Sequence, residues 1–155
     1  MLWNTSNRCK DMDAVILTPI APGTVVPPVD LGFPRVFSEC APVDMAREIN
    51  ININRDRLQG LYRSHLYRKY KYVYLIDSDV VVSHDDLVKL SEAWKPGTTP
   101  CILTKESDKG HVVCSCCFMT GADYLRVDYM SMPRQCQCYK LPSPFYVDGL
   151  KGSEI

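Results

Sequence analysis

The chain has 155 residues, a typical length for one domain with a continuous hydrophobic core. Hydrophobic residues make up 46% of the chain and charged residues 23%, a composition that excludes an intrinsically disordered protein. The formal net charge is +0, so the chain as a whole has no electrostatic attraction to nucleic acid or to an anionic membrane. We therefore expect a globular protein without a nucleic-acid partner.

No segment has the roughly 18 consecutive apolar residues that a membrane-spanning helix needs, so we expect no membrane span. Residues 1–13 carry charged and polar side chains where a secretory signal peptide has an apolar stretch. These two observations predict a cytoplasmic protein. In that reducing compartment the eight cysteines are expected to be free thiols.

The first third of the chain predicts two short strands separated by a long loop. Residues 13–19 are an apolar run that ends in a proline, which is typical of a buried strand. Residues 19–34 contain five prolines and two glycines, a composition that favours a surface loop. A second short strand is predicted at residues 34–38.

The middle of the chain predicts a helix followed by a buried strand. Asn54 is a candidate N-cap, and apolar residues then recur at three- and four-residue intervals to about Lys69. The basic residues of this stretch are expected to form the solvent-exposed face of the helix. Residues 72–76 form an unbroken run of apolar, β-branched and aromatic types, which predicts a central strand covered on both faces.

Serine and threonine caps predict the two later helices. Ser83 precedes a segment whose apolar side chains Leu87, Leu90 and Trp94 are spaced to face the core. Thr120 is expected to cap a helix that begins at the following glycine.

Further strands are predicted at residues 101–104 and 112–119, and the tail, residues 133–155, is expected to be irregular apart from a strand at residues 145–147. Strands that alternate with helices are typical of an α/β protein. We therefore expect residues 1–155 to form a single domain, a three-layer α/β sandwich with a mostly parallel central sheet.

Two aspartates follow the predicted central strand. Asp77 and Asp79 are separated by Ser78 and come directly after residues 72–76. Ligands of open α/β sheets bind outside the carboxyl ends of the strands, and two nearby carboxylates suit a hard divalent cation. Aspartates also make turns and cap helices, which is the alternative for this tripeptide. Its position between a buried strand and a capped helix favours a metal site.

The cysteines of the second half form two clusters, residues 114–117 and residues 136–138. Structural zinc sites usually space paired cysteines by two to four residues, whereas one-residue spacing predicts that Cys114 and Cys116 share one face of a strand. Small buried hydrophobic residues are therefore the favoured interpretation, with zinc ligands as the alternative.

The central segment resembles a known enzyme family. Residues 71–90 read KYVYLIDSDVVVSHDDLVKL and follow a helix that carries arginines. This arrangement is similar to the core of the GT-A-fold, family-2-like nucleotide-sugar glycosyltransferases, whose sheet is Rossmann-like and whose DxD motif follows such a strand. Residues 116–125, CCFMTGADYL, resemble the later strand–turn–helix of that family. The chain would be a short or truncated member.

The resemblance implies a role for each matching residue. Asp79 would bind Mn²⁺ or Mg²⁺ directly, and Asp77 would contact the metal or the ribose. The nucleotide diphosphate sugar, UDP- or GDP-linked, would also be bound by Thr18, Pro19, Arg55, Arg57 and Ser78. The implied activity is transfer of the sugar to an acceptor hydroxyl, with the acceptor a glycan, a protein or a small molecule.

The chain departs from the family pattern at the catalytic base. Inverting members usually carry an acidic pair that supplies this base, but the matching residues 133–140 contain no acid. Asp148 is the candidate base instead, with Asp128 next, although both residue positions also suit turns or caps. His84 and His111 are weaker candidates for metal ligands.

Two other function classes remain open at this point. Haloacid-dehalogenase-like phosphatases also place an Asp-x-Asp motif after a hydrophobic strand, with the first aspartate as nucleophile. Their motif normally opens the fold, whereas Asp77 lies halfway along this chain. The other class is a non-catalytic metal-binding or assembly module that uses the cysteine clusters.

Overall fold

The computed structural model describes residues 13–26, 29–39, 47–131 and 135–155. A π-helical turn, Tyr62–Leu66, follows the first helix, and 3₁₀ turns lie at Glu106–Gly110 and Gln137–Tyr139. The helices and strands in chain order are β1 Ala14–Ile20, β2 Arg35–Glu39, α1 Arg47–Leu61, β3 Tyr72–Ile76, β4 Val80–Val81, α2 His84–Glu92, β5 Thr99–Leu103, β6 Cys116–Thr120, α3 Gly121–Leu125, β7 Pro144–Lys151 and β8 Ser153–Glu154.

Six strands form the central sheet, in the order β2-β1-β3-β6-β5-β7, and β4 pairs with β8 in a separate ribbon. The pairs β1–β2, β1–β3 and β5–β7 are parallel, whereas β6 runs antiparallel to β3 and β5. The expected α/β sandwich with a mostly parallel sheet is confirmed. Strand β6 is the exception because the segment between β5 and β6 has no α-helix to carry the chain back for a parallel pairing.

Two hydrophobic clusters cover the two faces of the sheet. On one face, Leu58 and Tyr62 pack with Val15 and Leu17 of β1. On the other, α2 packs its leucines against Ile16 and its sheet neighbours. Successive residues of a strand point to opposite faces, so a strand covered on both sides is apolar at every position. This burial explains the unbroken apolar run of β3.

The start of α1 differs from the prediction. Asn54 is not an N-cap, because it lies inside the helix Arg47–Leu61. The first half of this helix reads REINININ, an alternation of apolar and polar residues that is typical of a strand and hides the helical period. The helix also ends earlier than Lys69, at Leu61, and continues only as the π-helical turn, in which the Tyr67 N–H donates to the Tyr62 carbonyl over 2.9 Å.

Both predicted caps are confirmed. The Ser83 hydroxyl accepts a hydrogen bond from the Asp86 N–H over 3.1 Å, and the Asp86 carboxylate accepts one from the Ser83 N–H over 2.9 Å. This reciprocal capping box begins α2. The Thr120 hydroxyl accepts from the Asp123 N–H over 3.1 Å and begins α3.

The tail is more regular than predicted, and the proline-rich loop is partly buried. The strand predicted at residues 145–147 is confirmed as part of β7, which spans eight residues beside β5. Since β7 is longer than predicted and β8 pairs with β4, the prediction that the rest of the tail is irregular was wrong. Their pairing partners lie far away in the sequence, and local composition does not reveal such pairing. Within residues 19–34, Leu31 and Phe33 are buried in the core on the α2 side of the sheet. No helix among the described residues is long and apolar enough to cross a membrane.

Candidate functional site

The predicted aspartates lie at the carboxyl end of β3. The Asp77 N–H donates to the Ser115 carbonyl over 2.9 Å, which fixes the end of β3 to the segment before β6. The Val80 N–H then donates to the Asp77 carbonyl over 3.2 Å and closes a tight turn. Asp79 is exposed at the tip of this turn, whereas Asp77 is half-buried. The turn presents both carboxylates at the edge of the sheet where ligands of α/β proteins bind.

A cavity of about 420 Å³ opens beside these aspartates. It lies between the end of β1, one side of α1 and the turn after β3. Its volume is within the range of small-molecule sites in proteins. The lining residues are Pro19, Ile20, Ala21, Arg47, Asn50, Ile51, Asn54, Arg55, Asp77, Ser78 and Asp79. Five of the residues predicted from sequence therefore share one cavity.

Opposing effects act on the pKa of Asp77, which lines this cavity. Burial raises the pKa of its carboxyl group, the Arg55 guanidinium opposes that increase, and the nearby Asp79 and Glu154 carboxylates raise the pKa further. The Arg55 Nη2 lies 3.5 Å from the Asp77 Oδ1. Carboxylate oxygens that repel one another are the donor set that suits a hard divalent cation, because the cation neutralises them. Asp77 and Asp79 therefore offer oxygen donors of the kind that a hard cation such as Mn²⁺ or Mg²⁺ takes.

Two predicted residues lie outside this cavity. The Thr18 side chain is fully buried, and its hydroxyl accepts a hydrogen bond from the Arg35 Nε over 3.0 Å. Arg57 is exposed on α1 and is not among the residues that line the cavity. On α1, Asn54 has a buried side-chain oxygen that finds no hydrogen-bond partner among the described residues. A bound ligand, ion or water would satisfy such an acceptor.

No sequence pattern predicted Glu154, which the fold brings to this edge. The Ile155 N–H donates to the Asp79 carbonyl over 2.8 Å, so β8 lies against the turn that carries the aspartates. The Glu154 carboxylate accepts a hydrogen bond from the Thr104 hydroxyl over 3.1 Å and pairs with the Lys105 ammonium over 3.0 Å. Glu154 is therefore held next to the turn that carries the aspartates, but it does not line the cavity.

The other predicted acids and histidines have different surroundings. Asp148 is exposed on β7 and does not line the cavity. The Asp128 Oδ1 accepts from the N–H groups of Met130 and Ser131 over 3.1 and 3.0 Å, which is the geometry of a turn. The His84 Nδ1 lies 2.8 Å from the Leu31 carbonyl and ties the loop before β2 to α2.

His111 and the cysteines lie elsewhere in the fold. The His111 Nε2 is 3.8 Å from the Cys138 Sγ. Cys114 belongs to the core cluster on the α1 side of the sheet, whereas Cys116 belongs to the cluster on the α2 side. The prediction that these two cysteines share one face was wrong, because β6 begins only at Cys116 and Cys114 lies in the preceding irregular segment.

A cavity of about 510 Å³ lies at the opposite edge of the sheet. Its lining residues are Tyr67, Arg68, Lys71, Tyr72, Thr120 and Ala122. It includes the first residue of β3 and the last of β6, and none of its described lining residues carries a carboxylate. Ligand sites of α/β sheets lie at the carboxyl ends of parallel strands, so the smaller cavity beside Asp77 is the better candidate.

Comparison with known proteins adds information on the fold. No protein-family model matches the chain, and no curated protein matches it. The chain is similar to the crystal structure of A197 from STIV, with a TM-score of 0.54 over 93% of this chain and 86% of A197. The two sequences are 11% identical. At this identity the likeness shows a shared fold alone.

Proposed function

We propose that the chain is a glycosyltransferase that binds a nucleotide diphosphate sugar, UDP- or GDP-linked, through Mn²⁺ or Mg²⁺ and transfers the sugar to an acceptor hydroxyl. The observation that carries the proposal is the cavity of about 420 Å³ in which Asp77, Ser78 and Asp79 face the polar side of α1. A divalent cation there would neutralise the charge that develops on the diphosphate leaving group.

The two walls of the cavity suit two parts of such a donor. The aspartates and the cation would face the diphosphate, whereas α1 offers arginine and asparagine side chains to phosphate and nucleobase. Arg55 connects the two walls, because it lines the cavity from α1 and its guanidinium lies beside the Asp77 carboxylate. Pro19 and Ser78 also line it. Thr18 and Arg57 remain predicted ligand contacts that the cavity lining does not include.

The base that deprotonates the acceptor has two candidates. Asp148 is the residue expected from sequence, and its exposure on β7 leaves it open to an acceptor. Glu154 is the second candidate, because Lys105 and Thr104 hold its carboxylate next to the turn of the aspartates, although, like Asp148, it does not line the cavity. A held carboxylate near the reacting centre is suited to general-base catalysis.

Calorimetric titration of UDP and GDP tests the proposed donor site. Binding is expected with Mn²⁺ or Mg²⁺ and should disappear in EDTA, since the diphosphate would contact the aspartates through the cation. Asp79→Asn should abolish metal-dependent binding while the circular dichroism spectrum is unchanged. Glu92→Gln, which removes one exposed charge at the end of α2, is the matched control and should bind normally. Metal-independent binding, or no binding by the folded protein, would contradict the proposal.

The phosphatase hypothesis makes a different prediction for the same residues. It requires Asp77 as a nucleophile, and therefore hydrolysis of a phosphate monoester that Asp77→Asn abolishes. The glycosyltransferase hypothesis predicts no such hydrolysis and instead predicts metal-dependent binding of the nucleotide. Assays of the wild-type chain with a chromogenic phosphate monoester and with UDP therefore separate the two classes.

A further inference from the structure

Three cysteines from β5, from β6 and from the segment just before β6 meet on the α1 side of the sheet. The ligand atoms of Cys101, Cys114 and Cys117 all lie within 4.8 Å of one another. The Cys101 Sγ is 3.4 Å from the Cys114 Sγ, and Cys101 and Cys117 are paired across β5 and β6. All three side chains are buried, with at most 3% of the residue surface exposed.

From this geometry we propose that Cys101, Cys114 and Cys117, called the thiol trio below, bind one soft, thiophilic metal ion, with zinc as the expected ion. Sulfur ligands lie about 2.3 Å from zinc, which places them about 3.8–4.0 Å apart. The sulfur atoms of the trio are already near that spacing. Small side-chain rotations would therefore complete a three-sulfur site.

The chemistry of binding is proton release without any change of oxidation state. The pKa of each thiol is raised above its ordinary value, and burial is the cause that raises it in all three. One ion would replace three protons, and the sulfur atoms would become thiolates. Zinc would leave one net negative charge in the core, whereas a cuprous ion would leave two. Since buried charge is costly, zinc is favoured.

The trio has a structural connection to the candidate donor site. Cys114 and Cys117 bracket Ser115, whose carbonyl accepts the hydrogen bond from the Asp77 N–H. Cys114 also accepts a hydrogen bond at its carbonyl from the Gln137 side chain over 2.8 Å. An ion bound by the trio would therefore fasten β5, β6 and the segment that holds the turn of the aspartates. The metal would be structural and separate from the Mn²⁺ or Mg²⁺ proposed at Asp79.

Elemental analysis of the purified chain, prepared in reducing buffer without chelator, tests the site. About one zinc ion per chain is expected, and a cuprous ion at the same stoichiometry would also support a soft-metal site. Cys101→Ser, Cys114→Ser and Cys117→Ser should each lose the metal. Cys116→Ser, on the same strand but the opposite face, is the matched control and should retain it, as should the exposed Cys136→Ser.

A second measurement uses the wild-type chain and therefore tests the site even if variants of the trio fail to fold. A mercurial reagent added to the wild-type chain should release zinc in proportion to thiols modified, read with a chromophoric zinc indicator. The apparent zinc affinity should also rise steeply with pH, because each thiolate ligand requires the loss of a proton. A folded wild-type chain that neither contains metal nor takes up zinc or cuprous ion overturns the proposal. Metal that is lost in Cys136→Ser but kept in the trio variants overturns it as well. None of these readouts depends on nucleotide binding.

Discussion

The guanidinium of Arg55 lies 3.5 Å from the carboxylate of Asp77, although the two residues belong to different elements of the fold. Arg55 projects from α1 and Asp77 follows β3, so their contact holds the helix against the carboxyl edge of the sheet. The side chains keep 17% and 34% of their surface exposed, respectively. This pair joins the two walls of the candidate donor cavity.

Asp77→Asn should stabilise the metal-free protein at neutral pH. Burial, with the Asp79 and Glu154 charges, raises the folded-state pKa of Asp77 despite Arg55, so the folded state holds this proton more tightly than the unfolded state does. That contribution to stability is present below the ordinary pKa and is lost as pH rises through the raised pKa. The variant should therefore melt at a higher temperature at pH 7, by about 2–4 °C for each kcal/mol removed.

The gain from Asp77→Asn should vanish at a pH below the ordinary aspartate pKa, about 4, because wild-type Asp77 is then protonated. Thermal melts from pH 3 to pH 8 measure the difference, with Glu92→Gln as the charge-matched control. A gain that is equal at both ends of this pH range would contradict the electrostatic explanation. Added Mn²⁺ should raise the melting temperature of the wild-type chain but not that of the variant.

Glu154→Gln should separate binding from turnover. The amide can still accept a hydrogen bond from Thr104, so β8 and the cavity should keep their structure. If Glu154 is the base, the sugar-transfer rate kcat should fall by about a hundredfold or more, while nucleotide affinity changes little. Glu106→Gln is the control, because Glu106 is also paired with lysines but is exposed, with its pKa lowered by Lys109 and Lys151 to about 2. Normal turnover in Glu154→Gln would return the role to Asp148.

Gly121→Ala and Gly60→Ala should change stability in opposite directions. A Cβ at Gly121 would lie 1.8 Å from the Tyr62 hydroxyl oxygen, and that buried hydroxyl donates to the Tyr70 carbonyl over 2.5 Å. The shifts needed to remove this overlap should lower the free energy of unfolding by about 1–3 kcal/mol. A Cβ at Gly60, inside α1, meets no atom of the described residues within 4 Å and should stabilise the helix by about 1 kcal/mol. Urea denaturation measures the change in the free energy of unfolding of each variant. Equal changes in the two variants would contradict the close packing of Gly121, at the start of α3, against Tyr62.

Ser83→Ala should remove the capping box of α2. The change leaves the Asp86 N–H without its side-chain acceptor and should lower stability by about 1 kcal/mol. Ser64→Ala, at an exposed position in the π-helical turn, should have an effect within about 0.5 kcal/mol. Chemical denaturation of the two variants provides the comparison. A cap variant as stable as the wild-type chain would mean that packing of α2, not its cap, fixes the start of the helix.

The sequence by itself determined the features that depend on neighbouring residues. The apolar run of β3, the aspartates directly after it and the Ser83 and Thr120 caps are each encoded within a few positions, and the structure has them all. The α/β class followed from their alternation. Short-range patterns are reliable here because burial on both faces and capping act along the chain itself.

Only the tertiary structure decided the features that depend on distant residues. The antiparallel direction of β6, the early start of α1 and the pairing of β8 with β4 arise from packing that outweighs local propensity. The same packing brings Glu154 next to the turn of the aspartates and gathers the thiol trio from two strands and the segment between them. Contacts between residues far apart in sequence leave no periodic signal, because each depends on strand order and register, which the whole sheet fixes together.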